Sequence, residues 1–94
     1  MTGKLSEQAI QQCLANLPGW EVSSKGELTR TFKQTNFMAG LLFINRIGGL
    51  AEAAGHHPDI LLTYRSVRVD LITHDADGLT VMDFDLAAQI SRLA

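Results

Sequence analysis

Near the start of the chain, apolar residues recur at three- and four-residue steps: Ile10, Cys13, Leu14 and Leu17. That period predicts a helix with Ser6 as its N-cap, stopped by Pro18-Gly19. Two short runs follow, WEVSS and ELTRTFKQ, joined through Lys25-Gly26 and read as a hairpin. Asn36 then caps a second helix, FMAGLLFINRIGGLAEAAG, with Phe43, Ile47, Leu50 and Ala54 on one stripe and Gly55 as the C-terminal stop. Gly40, Gly48 and Gly49 each cost that helix roughly 1 kcal/mol against Ala, which suggests close backbone approach to a neighbouring element or subunit. Two further strands, DILLTY and VRVDLITH, flank Arg65-Ser66. DADG makes a turn, and Thr80 with Asp83 forms a capping box for a last helix, VMDFDLAAQISRLA. The order α-β-β-α-β-β-α predicts an α+β fold: a four-stranded antiparallel sheet with three helices on one face.

Composition narrows the class. With 94 residues, 46% of them apolar, the chain is read as one globular domain spanning residues 1–94. A net charge of −2 and scattered basic residues give no drive toward nucleic acid. Cys13, the single cysteine, excludes an internal disulfide and reads as a buried small hydrophobe. No basic-then-apolar leader is evident at the N-terminus, and no apolar stretch reaches the ~20 residues of a membrane span. Cytoplasmic residence is the expectation.

The candidate chemistry lies in one window. All three histidines, His56, His57 and His74, fall within it. If the last two strands turn at Arg65-Ser66, Tyr64 faces Val67 and, further along, His57 faces His74. Directly opposed residues have Cβ atoms about 4.5 to 5.5 Å apart. Imidazole exchanges protons near neutral pH, so three of them at one sheet end suit acid–base catalysis. They also suit a three-histidine zinc site. Glu52, one turn earlier, reads either as a solvated surface residue or as a partner for an imidazole. Asp83 is accounted for by its capping box, and Trp20 and Tyr64 by packing.

The spacing Glu52, His56-His57-Pro58, Tyr64, His74, Asp83 resembles the signature of the pterin-4a-carbinolamine dehydratases. Gly19-Trp20, Phe32, Phe37, Ala51-Glu52 and Gly78-Leu79 extend the resemblance over nearly the whole chain. It implies the fold predicted above and the dehydration of 4a-hydroxytetrahydropterin to quinonoid dihydropterin, which recycles the pterin of aromatic amino acid hydroxylases. By that resemblance His56, His57 and His74 are catalytic and no metal or cofactor is required. Gly55, Ile72, Thr73 and Asp75 join the histidines in contacting the pterin substrate, and Glu52 and Asp83 support the site. The expected division of labour gives the proton transfers to the facing pair His57 and His74, with His56 binding the hydroxyl.

The resemblance also implies a homodimer or homotetramer. Some relatives act as dimerisation cofactors of a transcription factor, and others are linked to molybdopterin metabolism or carbon-fixation assembly. A non-catalytic oligomeric binding protein is therefore the main rival reading, with the glycines of the second helix as a possible interface. A zinc hydrolase is the second rival.

Overall fold

The computed structural model of the chain describes residues 3–94. Its elements are α1 (Glu7–Ala15), β1 (Glu21–Val22), β2 (Leu28–Lys33), α2 (Phe37–Ala54), β3 (Asp59–Thr63), β4 (Ser66–Leu71), a 3-10 turn (His74–Ala76) and α3 (Val81–Leu93). The α-β-β-α-β-β-α order is the one the pattern predicts. All strands pair antiparallel in one open sheet, in the order β1-β2-β4-β3.

The side-chain alternation sorts the sheet into two faces. Leu28, Phe32, Val67, Val69 and Leu71 are buried on one face, where Ile60 and Leu62 pack against them. The ladder places Leu28 opposite Leu71, Phe32 opposite Val67 and Ile60 opposite Val69, so each pair shares that face. Ile47 and Ala51 from α2 close over it, with Phe84, Leu86, Ala87 and Ile90 from α3.

Local signals set the helix ends. The Ser6 hydroxyl accepts from the Ala9 N–H at 3.1 Å, and Asn36 Oδ1 accepts from the Ala39 N–H at 2.8 Å. Each satisfies a first-turn donor that has no partner inside its own helix. Glycine at position 40 has a packing reason. A Cβ there would lie 2.9 Å from Leu62 Cδ1, so this face of α2 sits close against β3.

Several expectations are corrected. The strands β3 and β4 turn at Tyr64-Arg65, with Thr63 opposite Ser66 and Asp59 opposite Asp70. The ladder is thus offset by two residues from the expected one, and His57 and His74 do not face each other across it. A two-residue offset keeps every side chain on its own face, so hydrophobic alternation could not choose between the registers. Two contacts accompany this register, one tertiary and one local: the Gln34 N–H, just beyond β2, binds the Arg65 carbonyl at 2.8 Å, and the Thr63 and Ser66 hydroxyls bond across the turn.

The buried stripe of α2 is Gly40, Phe43, Ile47 and Ala51; Leu50 is half-buried and Ala54 exposed. A Cβ on Gly48 or Gly49 would meet nothing within 4 Å, so no close approach among the described residues explains them. Cys13 is half-buried rather than buried. Trp20 does pack, edge-on to Phe32 with ring centroids 5.9 Å apart, but Tyr64 stands exposed at the turn. By length and composition α2, at 18 residues, could cross a bilayer, contrary to the expectation of no such stretch. In this fold it is the helix that covers the sheet.

Candidate active site

The end of α2 is built to deliver two histidines. Gly55 adopts φ 62° and ψ 30°, the left-handed conformation that glycine takes without Cβ strain. The Gly55 N–H then bonds the Glu52 carbonyl (3.2 Å) and the His56 N–H bonds the Ala51 carbonyl (3.1 Å). This paired closure is the Schellman motif. Pro58 biases His57 toward extended backbone, so the chain leaves the helix and enters β3. His56 and His57 therefore occupy the corner between α2 and the sheet.

The third histidine arrives from the other side of the same corner. Because β3 and β4 are antiparallel, the start of β3 lies beside the end of β4, and Asp59 faces Asp70. Beyond Leu71 the chain runs through Ile72 and Thr73 into the 3-10 turn that begins at His74. Thr73 and Gly78 bridge the base of this loop, with N–H to carbonyl bonds of 3.0 and 3.3 Å. Antiparallel topology alone brings the three imidazoles to one end of the sheet, whichever of the two registers holds.

They line one open hollow of about 330 Å³, with Gly55, Ile72, Thr73, Asp75 and Met82. Seven of these eight residues are those singled out from the sequence. Met82 was missed, because its only signal is indirect: the capping box at Thr80 starts α3 where its first turn meets the hollow. A larger hollow, about 470 Å³ between β2, α2 and the end of α3, contains no histidine and none of the candidate residues. Size does not mark the site; the placement of chemistry does.

Two of the histidines are backed by carboxylates, in contrasting ways. His56 is nearly buried, and its Nε2 lies 2.6 Å from Oδ1 of the fully buried Asp83. Asp83 also accepts the Thr80 N–H at 2.9 Å and the Thr73 hydroxyl at 2.8 Å. Asp83 thus completes the capping box and holds His56 as well. His57 Nε2 pairs with Glu52 Oε2 in the open, with side chains 62% and 78% exposed. Both readings of Glu52 are met: it is a solvated surface residue and the partner of an imidazole. His74 is exposed and hydrogen-bonds neither carboxylate. Among the described residues no group of three His, Cys, Asp or Glu side chains is arranged to hold a metal ion.

This arrangement can give and take protons on a small polar ligand. Among the described residues, engagement of Nε2 leaves Nδ1 as the free ring nitrogen of both His56 and His57.

Comparison with known proteins bears on which ligand. A family profile described as pterin 4 alpha carbinolamine dehydratase matches residues 3–93. A protein of Chloroflexus aggregans, provisionally named pterin-4-alpha-carbinolamine dehydratase, is 49% identical over 90 residues, which cover 96% of each chain. One of Nostoc punctiforme with the same provisional name is 47% identical over 94 residues, covering 99% of each. A crystal structure from Brucella melitensis, described as a transcriptional coactivator/pterin dehydratase, superposes with TM-score 0.92 at 31% identity over 98% of this chain and 99% of that one. A pterin dehydratase-like protein described as a RuBisCO assembly factor in the alpha-carboxysome superposes with TM-score 0.69 over 81% of this chain and 89% of that one. At 23% identity, that likeness shows the fold alone.

Proposed function

The chain belongs to the pterin 4 alpha carbinolamine dehydratase family, and from that premise we propose that it removes water from 4a-hydroxytetrahydropterin to give quinonoid dihydropterin. The observation that carries this reading is the convergence of all three histidines on one hollow, two of them backed by carboxylates.

The chemistry needs two proton movements. The C4a hydroxyl leaves as water only if its oxygen gains a proton, and N5 must lose its proton as the C4a–N5 double bond forms. Proton transfer completes the reaction, so no resident metal or cofactor is called for. Each transfer, when made by a positioned side chain, accelerates the step by about 10²- to 10⁴-fold.

The corrected register removes the reason for pairing His57 with His74, and the hydrogen bonds suggest a different division. His56 donates Nε2–H to Asp83 and offers the Nδ1 lone pair, which makes it the base toward N5. His57 stands open to water and can be reprotonated between turnovers, which suits the acid that protonates the leaving hydroxyl. His74, with no carboxylate partner among the described residues, orients that hydroxyl. Gly55, Ile72 and Asp75 enclose the pterin rings, and Met82 lays an apolar, adaptable side chain beside them.

The test is to follow enzymatically generated 4a-hydroxytetrahydropterin in the ultraviolet, with and without the protein. Faster decay to the quinonoid product, lost on His56→Ala and on His57→Ala, is the expected result. Decay at the uncatalysed rate would overturn the reading. The companion reading is assembly through α2, favoured by its exposed apolar face: Met38 and Leu42 are each more than 60% exposed, with Phe37 and Leu41 beside them. We propose a homo-oligomer closed there. Light scattering reads its mass, and a Leu42→Glu chain of lower mass than the native one supports it. An unchanged mass rejects it.

A further inference from the structure

We infer that Thr73 is a positioning residue whose hydroxyl, through Asp83, fixes the His56 ring with its proton on Nε2. Counting protons orders the whole network. The Thr80 hydroxyl oxygen accepts the Met82 N–H at 3.2 Å. Asp83 Oδ2 lies 2.8 Å from the Thr73 hydroxyl, and a carboxylate only accepts, so Thr73 donates its single proton there. The 2.8 Å contact between the two threonine hydroxyls must then run from Thr80 to Thr73. Oδ2 takes a second donor, the Thr80 N–H. Oδ1 is left to His56, 2.6 Å away, whose Nε2 must therefore carry the proton.

The hydroxyl network runs one way, from Thr80 through Thr73 to Asp83. Asp83 and Thr80 are fully buried and Thr73 is nearly so, which leaves water little room to stand in for a missing hydroxyl. A threonine lining a ligand hollow is ordinarily read as a ligand contact. Here the hydroxyl proton is already committed inward, and the Thr73 backbone is held in the bridge to Gly78. Thr73 therefore acts on the reaction through Asp83 and His56. Its catalytic consequence rests on the dehydratase reading; the tautomer it imposes does not.

The test compares native protein, Thr73→Val and Thr73→Ser. Imidazole ¹⁵N spectra at alkaline pH report which ring nitrogen of His56 bears the proton. Native protein and Thr73→Ser are expected to hold Nε2–H; in Thr73→Val the Asp83 carboxylate loses the hydroxyl that orients it and can turn Oδ1 away from His56, so a mixture of tautomers is expected. In steady state, Thr73→Val should lower kcat by about tenfold, the size of one buried hydrogen bond, with KM nearly unchanged, and Thr73→Ser should restore most of it.

A His56 spectrum identical in Thr73→Val and native protein overturns the inference. So does a rise in KM at constant kcat, which would make Thr73 a substrate contact. If Thr73→Val does not fold, the native protein decides: a buried, donated hydroxyl gives a slowly exchanging Thr73 hydroxyl proton, and its absence overturns the inference. If native protein has no dehydratase activity, the function fails separately and the spectra still decide the tautomer.

Discussion

His56 and His57 are neighbours in sequence, and each pairs its Nε2 with a carboxylate, yet the two pairs sit in opposite surroundings. The His56–Asp83 pair is inside the protein, and both Asp83 oxygens are occupied by the imidazole, a hydroxyl and a backbone N–H. The His57–Glu52 pair lies on the surface, within and just beyond one helix end. A buried pair ties stability to function, because losing one partner strands the other away from water. An exposed pair leaves both partners hydrated when broken, and such pairs contribute little. The first is a structural unit that also positions a ring at the hollow; the second adjusts a ring that water already reaches.

That contrast sets an order of expected effects. Asp83→Ala should be the most damaging change, since it strands His56, Thr73 and Thr80 together. It should cost about 3 to 5 kcal/mol, seen as a fall in thermal midpoint of more than about 12 °C. A loss near that of Glu52→Ala would erase the distinction between the pairs.

Next, His56→Ala and His57→Ala should each lower turnover by about 10²-fold or more while parting in stability. His56→Ala should destabilise by about 1 to 3 kcal/mol because Asp83 loses a donor in a dry site. His57→Ala should stay within about 0.5 kcal/mol. Urea unfolding of the two variants measures the difference, and equal losses would contradict it.

Glu52→Gln should be milder, with stability within about 0.5 kcal/mol of native and turnover reduced only a few-fold. The smallest effect sharpens the contrast further. Raising salt from about 0.05 to 0.5 M shortens the screening length severalfold. The turnover deficit of Glu52→Gln should then shrink, and that of Asp83→Asn should not.

How much of this was legible beforehand differs by feature. The helix starts and the end of α2 were, because Ser6, Asn36, Gly55 and Thr80 act on backbone groups within a few residues of themselves; α1 instead ends at Ala15, before Leu17 and the expected stop at Pro18-Gly19. The gathering of the histidines was also legible, since two successive antiparallel strands must bring the entry of one beside the exit of the other. The pairing of His57 with His74 was not. Val67, Val69 and Leu71 face the core in either register, so the pattern contained no vote, and the choice fell to contacts around Arg65 from a distant strand.

The carboxylate partners divide in the same way. Glu52 precedes His57 by five residues across a helix end, and its candidacy could be seen. Asp83 lies 27 residues from His56; its capping role accounted for it locally, and the resemblance gave it a supporting role without saying which histidine it serves. Met82 was hidden because it sits in the first turn of a helix whose direction only packing decides, and the inward commitment of the Thr73 hydroxyl, though Thr73 itself was named, shows only in the folded chain.

By itself, then, the sequence determined the elements, their order, the face each strand buries and the end of the sheet where the imidazoles meet. These follow from interactions that are local along the chain or repeat with a fixed period. Only the tertiary structure decided the register, which carboxylate serves which histidine, and which partner is dry. Those outcomes depend on distances between residues far apart in sequence, and on exclusion of water that no single segment can achieve alone.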